Sequence, residues 1–228
     1  MLELAVVAGS WMILRRQLFA QEHGAPSTVL APRHSNAQLA QLTAYADRLY
    51  TERKWLAAEK AYLSVLKLDH KNFTAYTHLG IIYSTQKNMP DAIECFEIAA
   101  RLKPSGRTFQ NLALAFYDNH NFIKSIAAYE KSIMFEPHSA RYVGLAKAHL
   151  KLHNVPAAIT ALEHAVDLDP VKPILERLAD AYDQAERKND AKAIYARIHL
   201  LDPADPVAAR RIGIHLPDST VQPLDSAL

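Results

Sequence analysis

Residues 76–104 read YTHLGIIYSTQKNMPDAIECFEIAARLKP, and this stretch decides the fold. Two apolar-rich runs meet near Asn88, the stretch closes on Pro104, and Ala92 and Phe96 stand four apart, on one face of a helix. A small side chain at such a position lets two helices approach, and a ring one turn later fills the space beside the contact. The same small-to-aromatic pairing recurs at Ala58 and Tyr62, Ser125 and Tyr129, and Ala191 and Tyr195. Pro104, Pro137, Pro170 and Pro203 recur every 33 residues, ending the runs RLKP, MFEP, DLDP and LLDP. Asn88, Asn121 and Asn154 keep that spacing about halfway between the prolines, where a capping side chain would separate two helices. Each unit therefore predicts a helical hairpin. No window alternates with the period of a strand, so the fold class is all-α.

Working outward, Ser139 is expected to cap the helix that carries ARYVGLA, and Asp205 followed by Pro206 supplies an N-cap and a first-turn proline. At this point the chain resembles the tetratricopeptide repeats (TPRs), whose unit of about 34 residues carries W-x2-L-G-x2-Y, then A-x3-F, then P. Tyr76, Leu79, Gly80, Tyr83, Ala92, Phe96, Ala99 and Pro104 occupy these positions in order. A first unit follows from Leu42, Tyr45, Ala46, Leu49, Ala58 and Tyr62, with His70 in place of proline, and a third from Phe109, Leu112, Ala113, Phe116, Tyr129 and Pro137. Tyr142, Leu145, Ala146, Ala158, Leu162 and Pro170 mark a fourth, and Leu175, Leu178, Ala179, Tyr182, Ala191, Tyr195 and Pro203 a fifth. The resemblance implies an α-solenoid of about five hairpins over residues 38–216, closed by DPVAARRIGIHL as a C-terminal capping helix. From proline to the next signature leucine the last three joins count eight residues where the first, His70 to Leu79, counts nine, so the later loops between units are one residue short.

In such arrays the first helices line a concave groove that takes a peptide. Carried over, the groove holds Thr77, Ile81, Ser84 and Thr85 from the second unit and Arg107, Gln110, Leu114, Tyr117 and Asp118 from the third. Val143, Lys147, Leu150 and Lys151 follow from the fourth, and Glu176, Asp180 and Asp183 from the fifth. The lysine and asparagine clamp by which chaperone-binding TPR proteins hold an acidic C-terminus is missing, because its positions fall on Thr43 and Asp47. A protein or peptide partner is thus implied, with the chain as scaffold or adaptor. The alternative is a soluble regulatory or chaperone-like subunit of a larger complex.

Composition argues against other classes. The 26 basic and 24 acidic residues leave a net charge of +2, without the basic field or the repeated base-reading pairs of a nucleic-acid binder. Six glycines fall in no phosphate-loop arrangement, and one cysteine, Cys95, removes every multi-cysteine metal pattern. His149 and His153 have the spacing of two ligands on a helix face, yet no H-E-x-x-H or third ligand accompanies them. His149 reads instead as the substitute for a signature tyrosine, His153 as a turn residue, Cys95 as a buried thiol, and Asp180 with Asp183 as a solvated acidic edge. No catalytic residue, metal or cofactor is expected, and the chain reads as no enzyme.

The termini differ from the array. Residues 1–20 carry an apolar run from Leu2 to Leu14, broken by Glu3 and Ser10 and followed at once by Arg15 and Arg16. A helix over that run spans about 20 Å against a hydrocarbon core of roughly 30 Å. The trailing arginines and the missing leading charge favour a membrane anchor that keeps the repeats in the cytoplasm over a cleaved signal. A helix docked on the repeats through Trp11 and Leu14, in a soluble cytoplasmic protein, is the alternative. Residues 21–37 have the composition of a linker and 217–228 that of a loose tail.

Overall fold

The computed structural model describes residues 36–214. The expected anchor or docking helix at residues 1–20, most of the linker and the tail lie outside them. Among the described residues every regular element is an α-helix. They form two compact units that divide after His120. The first unit carries α1 (Asn36–Thr51), α2 (Trp55–Leu68), α3 (Phe73–Thr85), α4 (Met89–Leu102) and α5 (Gly106–Asp118). The second carries α6 (Phe122–Phe135), α7 (Ser139–Lys151), α8 (Val155–Leu168), α9 (Lys172–Gln184), α10 (Lys188–Leu201) and α11 (Pro206–Ile212). Within each unit every helix packs on the next in sequence. This is the hairpin order that the proline spacing predicts.

Turns of three residues join the two helices of each hairpin, and their middle residue is left-handed at Arg53 (φ 57°), Lys87 (φ 63°), His153 (φ 56°) and Glu186 (φ 59°). None of these is glycine. The backbone reversal closes through hydrogen bonds such as Asn88 N–H to Tyr83 O at 2.9 Å and Asn154 N–H to His149 O at 3.0 Å. The asparagines at the next position behave differently from one another. Asn154 Oδ1 accepts from Ala157 N–H at 3.4 Å and Asn121 Oδ1 from Lys124 N–H at 3.2 Å, capping their helices. Asn88 makes no cap, because its amide donates to Asp91 Oδ2 at 2.7 Å. The loop into α3 runs from residue 69 to 72, while those into α7 and α9 are one residue shorter, as the spacing requires.

The expected Ser139 cap is corrected. Ser139 is already helical and buried, and His138 is the N-cap, its Nδ1 accepting from Ala140 N–H at 3.2 Å. The residue directly after the repeat proline starts the helix in this short loop, as Ser105 does after Pro104 with a reciprocal Thr108 capping box. At the other end α11 is shorter than DPVAARRIGIHL. Gly213 adopts φ 87° and its N–H bonds Arg210 O at 3.2 Å, while Ile214 N–H reaches back to Ala209 O at 2.8 Å. That pair of bonds is a helix stop.

The first core is built on Tyr62, Leu66, Leu79, Ile82 and Tyr83, all essentially without exposure. Each such aliphatic side chain contributes about 1.5–3 kcal/mol on burial. Gly80 lets α3 and α4 touch, since an added Cβ would lie 2.6 Å from Phe96 Cε1. Buried Glu59 ties α2 to α3, its carboxylate accepting from Tyr83 Oη at 3.2 Å and Gln86 Nε2 at 3.1 Å, and burial raises its pKa. The second core gathers Leu162, Leu175, Leu178, Tyr195 and Ile198. Gly144 there accommodates the Tyr129 ring, which would meet any Cβ.

Candidate functional site

On the first unit, one turn of α3 and the facing side of α5 enclose a shallow cleft of about 310 Å³ lined by Ile81, Ser84, Thr85, Phe96, Asn111, Leu114, Ala115 and Asp118. Ile81, Ser84 and Thr85 repeat at helical spacing on α3, and Asn111, Leu114 and Asp118 do so on α5. Gly80 sets the floor: by admitting Phe96 between the helices it places an aromatic ring beneath both faces. Leu114 is 44 % exposed, a large side chain open to an incoming apolar group.

The structure thus gathers Ile81, Ser84, Thr85, Leu114 and Asp118 from the expected groove. Thr77 stands outside this cleft with its hydroxyl donating to Phe73 O at 2.9 Å. Arg107 is exposed, and Gln110 and Tyr117 half-buried, on α5, none of them in the lining. Lys147 and Lys151 are exposed on α7 in the second unit. Asn111, Ala115 and Phe96 were missed; the helical period running back from Leu114 finds Asn111, but only packing shows that Phe96 underlies the cleft.

A second cleft, of about 240 Å³, opens in the second unit between α9, α10 and α11, lined by Glu176, Asp180, Tyr195, Ile198, Asp205, Val207 and Ala208. Asp205 is fixed here as N-cap of α11, accepting from Val207 and Ala208 N–H at 2.8 Å, and it meets Lys172 Nζ at 2.6 Å. These bonds hold its carboxyl below the usual range. The solvated edge expected of Asp180 and Asp183 is corrected for Asp183: it accepts from Tyr195 Oη at 3.3 Å and pairs with Arg211 at 3.0 Å, anchoring α11.

The remaining candidates for chemistry are structural. Cys95 is fully buried, and burial pushes its thiol well above the ordinary range. His149 turns a buried Nδ1 into the hairpin without a hydrogen-bond partner, its pKa lowered by burial, while His153 occupies the left-handed turn position. Among the described residues no group of three or more His, Cys, Asp or Glu side chains could hold a metal, and no helix is long and apolar enough to cross a membrane.

A run of helical hairpins that presents first-helix clefts defines a helical-repeat protein of the interaction-scaffold class. The sequence profile described as tetratricopeptide repeat matches residues 43–107 and 143–209, more than half of the chain, and the chain belongs to that family. Solved structures share the fold. YrrB, described as a TPR protein with an unusual peptide-binding site, superposes with a TM-score of 0.63 at 16 % identity over 76 % of this chain and 91 % of its own. A MamA fragment from Desulfovibrio magneticus RS-1 gives 0.67 at 13 % identity over 78 % of this chain and 99 % of its own. Among curated proteins, the transcription factor tau 131 kDa subunit of Saccharomyces cerevisiae is 33 % identical over 72 residues, which is 32 % of this chain and 7 % of that protein.

Proposed function

We propose that the chain is a non-catalytic adaptor that holds a peptide or partner protein on the first-helix faces of its repeats. The observation that carries this reading is the cleft over Phe96, where Ile81, Ser84 and Leu114 converge from two successive repeats around an open apolar floor. The peptide-binding site ascribed to YrrB, a protein of similar fold, supports it. Thr77, Arg107, Gln110, Tyr117, Lys147 and Lys151 complete the proposed contact set. Affinity capture from the source cells with wild-type protein and with Ile81→Arg/Leu114→Arg tests the reading. A partner retained by the first and lost by the second is the expected result, with unchanged helical circular dichroism; equal retention would move the site elsewhere.

The proposal extends to the terminus: residues 1–20 tether the repeats to the cytoplasmic side of a membrane across a linker at residues 21–37. The Leu2–Leu14 run and the arginines behind it support this. A tethered protein stays with membranes through carbonate washing and is released by deletion of residues 1–20. Full-length protein found in the soluble fraction would refute the tether.

A further inference from the structure

The two clefts are each built as an apolar floor under a rim that carries carboxylate and no lysine or arginine, the first rim also holding Asn111, whose amide both donates and accepts. In the first unit the floor is Ile81, Phe96, Leu114 and Ala115. The rim hydroxyls have spent their protons inward, Ser84 Oγ on Gly80 O and Thr85 Oγ1 on Ile81 O, both at 2.9 Å. Asp118 beside them has no ion-pair partner among the described residues. In the second unit the floor is Tyr195, Ile198, Val207 and Ala208, and the rim carries Glu176 and Asp180. The neighbouring carboxylates are all answered by cations, Asp202 and Asp205 by Lys172 at 2.7 and 2.6 Å, and Asp183 by Arg211 at 3.0 Å. Glu176 and Asp180 have no such partner among the described residues, although like charges one helical turn apart destabilise the helix that carries them. Neither cleft is lined by a lysine or arginine of the protein itself.

We propose that each cleft, taken by itself, holds a cationic, aliphatic peptide segment, whose Lys or Arg side chains lay their methylenes on the floor and place their charged heads against Asp118 in the first unit or against Glu176 and Asp180 in the second. The inference rests on the reading that first-helix faces hold a polypeptide, and it names the chemistry of that polypeptide. An acidic segment meets unanswered carboxylate in either cleft and is rejected by it. A wholly apolar one leaves them unpaired. Arg107, Lys147 and Lys151 of the proposed contact set line neither cleft, so they meet the partner away from the side chains that enter the clefts.

The test uses short fluorescein-labelled peptides of alternating Leu and Lys, Leu and Glu, or Leu and Ser, titrated with the full-length protein and followed by fluorescence anisotropy. The Leu–Lys peptide is expected to bind about tenfold more tightly than the others. The charge-removing variant Glu176→Gln/Asp180→Asn and the reversal Asp118→Lys each weaken it severalfold, with unchanged circular dichroism. The control pair Glu97→Lys/Asp167→Lys, on exposed positions of second helices, leaves it bound. Equal weakening by the control pair reduces the effect to diffuse attraction and overturns the proposal. Tighter binding of the Leu–Glu or Leu–Ser peptide overturns the cationic partner while leaving polypeptide binding intact, and absence of binding by all three overturns both.

Discussion

At the scale of the residue, Gly80 on Phe96 is a contact that the family signature names and that the structure fills tightly. Gly80 faces the Phe96 ring, itself 3 % exposed, so Gly80→Ala forces a Cβ to within 2.6 Å of an aromatic carbon that has nowhere to go. The expected cost is about 1–3 kcal/mol of stability by urea denaturation, against a helix-propensity gain below about 1 kcal/mol. Histidines carry the second expectation at this scale. His78 lies between Asp47 and Tyr50 of α1 and Tyr62 of α2, stacked on the Tyr50 ring at 4.4 Å, with Nδ1 2.6 Å from Tyr62 Oη. Burial lowers its pKa against the opposing pull of Asp47, and burial likewise lowers that of His149 against Glu130. A histidine whose folded pKa lies below its unfolded value of about 6.5 binds protons more readily in the unfolded chain. Stability from these residues is therefore present above that pH and is lost as pH falls below it. The urea midpoint should drop between about pH 7.5 and pH 5.5, and His149→Phe, which gives the fourth repeat the aromatic ring that Phe116 provides in the third, should shrink the drop. An unchanged midpoint in the wild type would show that neither histidine is held neutral. Sequence reading places His149 correctly because its register against the signature tyrosine is visible. It overlooks His78, whose partners come from two other helices, α1 and α2, so that no pattern along its own helix reveals them.

At the scale of the element, helices were legible and their ends were not. Proline spacing and small-to-aromatic pairs fix which segments are helical, since both report a face repeated along the chain. The cap of α7 was misplaced by one residue because His138 and Ser139 both offer an acceptor, and only the length of the loop after Pro137 decides between them. Of the left-handed turn residues the sequence marks only His153 as a turn position, and the others escape for a different reason. Glycine normally marks such positions, yet here Arg53, Lys87, His153 and Glu186 hold them, fixed by the hydrogen bonds of the turn. The left-handed conformation costs a side-chain-bearing residue about 1–2 kcal/mol, and glycine's greater freedom in the unfolded chain takes back about 0.4–1 kcal/mol. Lys87→Gly should therefore stabilise the protein by about 0.5–1 kcal/mol in thermal or urea melts, where Lys87→Val should destabilise it. A neutral or destabilising glycine would mean that the exposed Lys87 side chain contributes more than its backbone strain costs. Of the candidate groove, Ile81, Ser84 and Leu114 follow from carrying the family's first-helix positions onto this sequence, whereas the second cleft needed the fold: Tyr195, Ile198 and Val207 reach it from α10 and α11, on elements whose approach to α9 no single-helix pattern reveals.

At the scale of the whole molecule, a repeat array has no central core, and each repeat is stabilised by its immediate neighbours. Leu79 illustrates the consequence. It is fully buried in α3, in a unit where α3 packs on α2 before it and α4 after it. Leu79→Ala removes that side chain from a site that the surrounding helices cannot fully refill, at a cost of about 2–5 kcal/mol. In a single-core protein such a loss lowers protection everywhere, because all amides share one global opening. In this chain the loss is expected first in the unit ending at His120, which holds α2, α3 and α4. Amide hydrogen exchange on the variant should accordingly show protection falling in α2, α3 and α4, with the amides of α9 and α10, which line the second cleft and close on α11, keeping wild-type rates under the same native conditions. Uniform loss across both sets would show one cooperative body. Loss confined to α3, with α2 and α4 unaffected, would show that the hairpins do not support one another at all.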